Sequence, residues 1–350
     1  MNSNDKRIEK LPKEVINLVA QIDELKGRWS GKTNLNPQIL GTLKRSTLIT
    51  STGSSTRIEG SEMSDTDVEE YIDNLKIQKF SERDTQEVQG YYETLEFIFD
   101  NHKSIDFSEN TIKYLHAQLL QYSSKDVWHK GEYKNLENKV EMTDVEGNIL
   151  AVIFETTPAY LTPKEMQELV DWYTEALHEN KYHPLLIISN FIVSFLKIHP
   201  FLDGNGRMSR LLTNYLLLSR GYEYTPYVSH EKLVEQSKSN YYLALRRSQA
   251  TFDTEDDSIN DWTVYFLGLL LEQAQQAIKL VENENLEKTL SPQQIKVWRY
   301  LQTVEEAMPG EIADKTGVAR ATVSQALNRL LDIKKVERIG QGRTTRYKKK

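Results

Sequence analysis

His199-Pro-Phe-Leu-Asp-Gly-Asn-Gly-Arg-Met-Ser-Arg210 decides how this chain is read, because it gathers an imidazole, a carboxylate, two glycines and two guanidinium groups in twelve residues. The run before it, Pro184 to Ile198, is apolar but interrupted by Ser189, Asn190 and Ser194. It predicts a buried helix, too short for the ~20 apolar residues that span a bilayer. His199 then falls at the C-terminal end of a rigid element. After it, Met208, Leu211, Leu212, Tyr215 and Leu218 recur at helical spacing up to Gly221, which predicts a second helix over 205–220 with a glycine stop. Asp203-Gly-Asn-Gly206 is thus the turn between two helices.

That turn has the parts of a phosphate cradle. Gly204 and Gly206 let the backbone adopt positive φ and approach a ligand, and the N–H groups and dipole of the helix start favour an anion. Arg207 and Arg210 lie three apart, on one side of the first turn, where guanidinium groups can grip phosphate oxygens. Asp203 supplies a hard oxygen, enough for a Mg²⁺ ion that arrives with its nucleotide. His199, with an ordinary imidazole pKa of about 6.5, suits a general base.

The stretch resembles the signature of the Fic family, His-x-Phe-x-Asp/Glu-Gly-Asn-Gly-Arg-x-x-Arg, at every specified position. The resemblance implies a mostly helical protein that transfers AMP from ATP to a Ser, Thr or Tyr hydroxyl of a target protein. In that reading His199 deprotonates the hydroxyl and Asp203 holds Mg²⁺. Gly204, Asn205 and Gly206 bind the α- and β-phosphates, and Arg207 and Arg210 stabilise the leaving pyrophosphate. Phe201 anchors the loop. Gly206 stands where a related phosphorylating branch carries lysine.

Ser55-Thr-Arg-Ile-Glu59-Gly60 resembles the inhibitory motif of the same family, Ser/Thr-x-x-x-Glu-Gly/Asn. The resemblance implies that Glu59 pairs with Arg210 and takes space and charge needed by the γ-phosphate. Because the motif precedes the signature, it points to the class with an N-terminal inhibitory helix. The small residues of 46–55 read as a packing surface.

Between the two motifs, Gly131-Glu-Tyr-Lys134 and Ile149 to Phe154 flank a polar segment with a turn signal at Glu146-Gly147-Asn148, which predicts a β-hairpin. The resemblance makes this a flap, the 131–157 hairpin, on which an extended segment of the target docks by main-chain pairing, with 152–157 as the docking edge. Thr162, with Glu165 at the capping-box position, predicts the start of an amphipathic helix. Tyr241 and Tyr242, with Ser248 and Gln249, resemble the region that lines the adenine pocket in relatives.

With 350 residues the chain can hold two or three cores. It has no cysteine, which excludes disulfides. The polar start and the lack of a long apolar segment predict a cytoplasmic protein without membrane contact. Residues 291–350 carry thirteen Lys/Arg against six Asp/Glu, a net +7, which leaves −14 on 1–290 out of the total of −7. Such a basic appendage suggests a separate contact surface.

Over 291–350 the pattern is helix, helix, turn, helix and hairpin, which resembles a winged helix-turn-helix. Residues 321–331 would be its recognition helix, with Val336 to Tyr347 as the wing. Arg320 and Arg329, together with Thr322, Ser324 and Gln325, are the candidates to face DNA. The expected organisation is an N-terminal helical region with the inhibitory motif at 1–110, a catalytic core at 111–255, a helical connector at 256–290 and a winged helix at 291–350. The expected fold class is mainly α, a Fic-type helical core with a β-hairpin flap plus that C-terminal domain.

The functional expectation is AMP transfer from ATP to a target protein, and to the chain itself, restrained by Glu59. Two readings compete with it. Glu59 can instead orient water to remove AMP from a modified protein, or the chain is a DNA-binding regulator whose catalytic fold senses nucleotide. A homodimer is among the assemblies left open.

Overall fold

The apolar run that opens at Pro184 folds as a helix to Ile198 with nearly every side chain buried, including Ile187, Ile188, Phe191, Val193 and Phe195. A helix apolar all round belongs in the middle of a core, and its polar interruptions are spent on its neighbours. Ser189 Oγ donates to Thr263 Oγ1 and Asn190 Nδ2 to Asn4 Oδ1, at 3.1 and 3.0 Å.

The computed structural model describes residues 3–31, 36–73, 81–143, 149–340, 342 and 345–350, side chains excepted for 139–155 and 283–289. The chain divides into two compact units, 1–278 and 279–350. In order, the first holds α1 (Ser3–Glu9), α2 (Glu14–Ser30), α3 (Pro37–Ile58), α4 (Asp65–Ile72), α5 (Glu82–Asn101) and α6 (Glu109–Leu119). The antiparallel hairpin β1 (Lys139–Thr143) and β2 (Ile149–Glu155) follows. Then come α7 (Thr162–His178), α8 (Pro184–Ile198), α9 (Asn205–Ser219), α10 (His230–Gln236), α11 (Lys238–Gln249) and α12 (Asn260–Thr289), whose last turns belong to the second unit.

α8 packs on α1, α7, α9 and α11, and α9 on α3, α5 and α6. α3 buries Thr47, Ser51, Thr52, Ser54, Ser55 and Thr56, and side chains this small let it lie close to α5, α9 and α10. No boundary between compact units falls at 110 or 255: α3 and α5 pack directly on helices after the hairpin, and Trp262 of α12 bonds back to Ser189 of α8 and Ser248 of α11. The division lies inside the continuous α12 rather than at 290.

Two local expectations change. Thr162 does not cap α7: the turn from Pro158 already winds into the helix, the Thr162 hydroxyl donates to the Pro158 carbonyl, and Glu165 accepts from Thr157. Gly131 to Lys134 is a turn and not a strand, and β1 starts five residues later at Lys139. The expected turn at Glu146-Gly147-Asn148 lies outside the described residues.

The second unit contains α13 (Pro292–Gln302), α14 (Pro309–Thr316), α15 (Arg320–Asp332) and the antiparallel pair β3 (Val336–Ile339) and β4 (Arg346–Lys349). Val297, Trp298, Leu301, Ile312, Val318, Val323, Leu327 and Leu330 form its core. Gly317 ends α14 at φ 66°, a conformation a side chain would strain. Among the described residues no helix is long and apolar enough to cross a membrane.

Candidate active site

α8 ends at Ile198, and His199 caps it in the left-handed region at φ 52°, ψ 60°. A residue with a side chain holds that conformation only when its surroundings over-determine it. His199 Nδ1 lies 3.3 Å from the Leu196 carbonyl. A ring nitrogen against a carbonyl carries the proton, so Nε2 is the basic nitrogen. Burial pushes the imidazole pKa down to about 4, the Leu196 carbonyl opposing and the charge of Lys134 adding to the shift.

The loop after His199 is held from inside. Phe201 is fully buried and stacks on His116, centroids 3.7 Å apart and planes within 9°. His116 Nδ1 accepts from Gly131 N–H at 2.9 Å, so its Nε2–H donates to the Asp203 carbonyl at 3.0 Å. Asn205 closes the loop with its amide, which accepts from Phe201 N–H at 2.9 Å and donates to the Phe201 carbonyl at 2.7 Å. The amide thus fixes the loop conformation, and the Asn205 backbone N–H lies in the first turn of α9. Asn205 also lines the cavity expected to hold the phosphates.

Gly204 is the N-cap of α9 at φ 81°, and N–H groups in a first helical turn have no intrahelical acceptor. Glu59 stands at this helix end. A Cβ on Gly206 would come within 2.4 Å of Glu59 Oε1, so the glycine is what admits the carboxylate. Glu59 Oε1 accepts from Arg210 Nη2 at 2.7 Å, and Arg210 also donates to the Ser55 hydroxyl at 2.8 Å and the Ser55 carbonyl at 3.1 Å. Desolvation pushes the Glu59 carboxyl upward, but the charge and hydrogen bond of Arg210, aided by Arg207, hold it below its ordinary value. Burial pulls the Arg210 pKa down, and Glu59 outweighs it to leave the guanidinium firmly charged.

The end of α3 that carries Glu59 is itself clamped. Arg57 bonds Glu235 at 2.6 Å and Asp65 at 2.7 Å, and Lys238 Nζ donates to the Ile58 carbonyl at 2.7 Å.

Arg207 is buried between Glu87, 3.2 Å from its Nη1, and Asp203 Oδ1, 3.2 Å from its Nη2. Asp203 also accepts from Gly204 N–H and, through Oδ2, from Lys125 Nζ at 3.0 Å. Burial raises the Asp203 pKa, yet Arg207 and Lys125 bring it well below the usual carboxylate range. Among the described residues no three His, Cys, Asp or Glu side chains converge as a metal site; Asp203 is an ionised carboxylate, 32% exposed.

These groups face one cavity of about 250 Å³, lined by Glu59, His199, Asp203, Gly204, Gly206, Arg207, Arg210, Tyr241, Tyr242 and Leu245 among others. Tyr241 is also a core residue, packed edge-on against Trp262 at 5.6 Å. Ser248 and Gln249 do not line it. The Ser248 hydroxyl accepts from Trp262 N–H, and Gln249 donates to the Val193 carbonyl. A larger cleft of about 790 Å³ between α1, α7 and α8 contains none of the signature residues.

At the flap, Thr156 and Thr157 are buried. The Thr156 hydroxyl accepts from Lys134 Nζ at 2.9 Å and the Thr157 hydroxyl donates to Glu165 at 2.6 Å; of the expected docking edge at 152–157, residues 152–155 lie on β2 and these two follow its end. In the second unit, Arg320, Ser324, Gln325 and Arg329 are exposed on α15 and Thr322 is half-buried.

His116, Lys125, Lys134, Asn138 and Glu87 were not singled out by sequence. Lys134 ended the run expected as the first arm of the hairpin, but nothing local told it from a surface lysine. His116 and Glu87 sit on amphipathic helices, where only tertiary neighbours reveal their partners.

The Fic/DOC family model matches residues 106–217. The chain is 35% identical over 110 residues to a Fido domain-containing protein of Dictyostelium discoideum, an alignment covering 30% of this chain and 73% of that protein. It is 28% identical over 152 residues to the protein adenylyltransferase Fic of Drosophila persimilis, 42% of this chain but only 28% of that longer relative. In fold, a crystal structure of a Fic family protein from Desulfovibrio desulfuricans G20 aligns with TM-score 0.64 at 23% identity, over 97% of both chains. Fic-1 of C. elegans aligns with TM-score 0.62 at 18% identity, over 77% of this chain and 73% of that one. With the signature built on the α8–α9 turn and a relative matched along most of its length, the chain belongs to the Fic/DOC family.

Proposed function

We propose that this chain transfers AMP from ATP to a Ser, Thr or Tyr hydroxyl of a target protein, and to itself, and that Glu59 restrains it. The observation that carries this reading is the meeting of His199, the α9 N-terminus, Asp203 and Arg210 in one cavity. Adenylyltransferase activity is the named property of the Drosophila relative.

The hydroxyl oxygen attacks the α-phosphorus, the bond from that phosphorus to the bridging oxygen breaks, and pyrophosphate leaves. The proton goes to His199 Nε2. The first-turn N–H groups of α9 hold the diphosphate, with Arg207 near it and Arg210 available once Glu59 withdraws. Tyr241 and Tyr242 offer the adenine an aromatic wall. Asp203 would hold Mg²⁺ arriving with the nucleotide, which supplies charge neutralisation on the leaving diphosphate. It fits that role, being ionised, partly open and covered on Oδ2 by a half-exposed lysine.

The cavity of about 250 Å³ falls below the ~300–1,000 Å³ of typical ligand pockets, and the Glu59 carboxylate occupies its anion-binding end. Withdrawal of Glu59 therefore both enlarges the site and frees its clamp. The target would dock by pairing with the outer edge of β2. Incubation with labelled ATP, Mg²⁺ and lysate, followed by mass spectrometry for peptides carrying AMP, tests the reaction.

The depressed His199 pKa sets the pH dependence. Burial disfavours the imidazolium, so the base stays neutral until pH falls through about 4. The acid limb of kcat/KM, which reports the free enzyme, is expected near 4. A limb near the ordinary imidazole value of about 6.5 would show that His199 is solvated in the working state.

For the second unit we infer DNA contact through α15, with the wing at β3–β4. Its support is the exposed, partly basic face of α15 and the net +7 of residues 291–350. In fluorescence anisotropy with duplex DNA, Arg320→Ala and Arg329→Ala in the full chain are each expected to weaken binding and flatten its salt slope by about one counterion. No binding at low salt would leave the unit as a protein-contact module.

A further inference from the structure

We propose that Lys134 is a positioning residue that sets the His199 imidazole by holding the peptide carbonyls on either side of it. Its side-chain Nζ donates to the carbonyl of Ile198 at 3.0 Å and its backbone N–H to the carbonyl of Pro200 at 2.8 Å. One residue thus brackets the left-handed His199. Nζ donates as well to Asn138 Oδ1 at 2.8 Å and Thr156 Oγ1 at 2.9 Å. All three protons of the ammonium are used, and the side chain is buried.

A lysine buried on neutral oxygens is costly. Desolvation pushes its pKa down to about 8, against the pull of Glu137 and Glu165. Such a group belongs where the geometry it enforces matters.

The network joins two parts of the site. Thr156 directly follows β2, and its hydroxyl lies 2.7 Å from the Asn138 carbonyl, to which it donates. Asn138 directly precedes β1 and donates through Nδ2 to the Phe201 carbonyl at 2.8 Å. Both ends of the flap and the loop of the base therefore meet at one ammonium, which ties where a target strand docks to where the proton acceptor stands. Lys134 touches no reacting atom; it acts through His199.

This inference rests on His199 as the general base. The test uses the full chain carrying Glu59→Gly, with the variants Lys134→Met, Thr156→Val, Thr156→Ser and His199→Ala. Transfer is followed by mass spectrometry, ATP affinity by calorimetry and folding by thermal melting. Lys134→Met, close in shape but unable to donate, is expected to lower kcat by ~10²-fold, the scale of a small misplacement of a reacting group, with ATP affinity unchanged. Thr156→Val should fall in the same direction and Thr156→Ser, which keeps the hydroxyl, should recover. If Lys134→Met fails to fold, the Thr156 pair decides. Parental kcat in folded Lys134→Met, equal loss of kcat and ATP affinity, or Thr156→Ser as damaged as Thr156→Val overturns the inference. Parental transfer by His199→Ala instead removes the reading beneath it.

Discussion

Glu59→Gly is expected to raise AMP transfer by ~10²-fold, the scale on which a misaligned substrate loses rate. Glu59 Oε1 sits 2.7 Å from Arg210 Nη2 and against the first turn of α9, so nucleotide bound beside it lacks both a charge clamp and the space for its terminal phosphate. Arg210→Ala is expected to lose ~10²–10³ in rate, as when one preorganised charge-stabilising donor is removed. The double variant should stay at the level of Arg210→Ala, since freeing a clamp does nothing once the clamp is gone, and such non-additivity is the mark of two groups that share one interaction. Self-modification at saturating ATP and Mg²⁺ measures all three, with melting curves to confirm that the Arg210 variants fold. Equal rates in parent and Glu59→Gly would remove the inhibitory role and leave the signature intact. If Glu59 instead activates water, Glu59→Gly would lose removal of AMP from a modified target.

The second large effect is at His199. His199→Ala deletes the proton acceptor while the α9 N-terminus, Asp203 and both arginines keep their partners, so ATP should still bind and transfer should fall by ~10²–10⁴, the worth of one general base. Because Nδ1 makes its contact with the Leu196 carbonyl and Nε2 is the basic nitrogen, His199→Asn is expected to be as inactive as His199→Ala: an amide can replace the hydrogen bond but cannot take the proton. Calorimetry with ATP separates this from a collapsed site. Transfer at the parental rate in either variant would exclude His199 as the base.

Some of this was legible without coordinates, for a local reason. The buried helix over 184–198, the turn at 203–206 and the helix after it follow from apolar spacing, proline and glycine, which act within a few residues. The same locality marked His199 as a helix-terminal residue and Gly206 as a place where something must come close. What came close was implied only by resemblance, because Glu59 and Arg210 are 151 positions apart in the chain.

Where contacts are distant, side chains acquired roles that their local sequence does not encode. Asn205 reads as part of a phosphate turn, and its side-chain amide also closes the loop on Phe201. Thr156 and Thr157 read as a strand edge, yet their hydroxyls are buried against Lys134 and Glu165. Lys134 reads as an ordinary charged residue of a hairpin arm and proves to be a buried ammonium beneath the His199 loop.

By itself the sequence determined the helical frame, the chemical groups of the α8–α9 turn and the family, since these depend on short-range spacing. Only the tertiary structure decided the tautomer and depressed pKa of His199, the carboxylate at the α9 N-terminus and the bracket of Lys134, since each depends on which distant atoms exclude water and which face a polar group once the chain has packed.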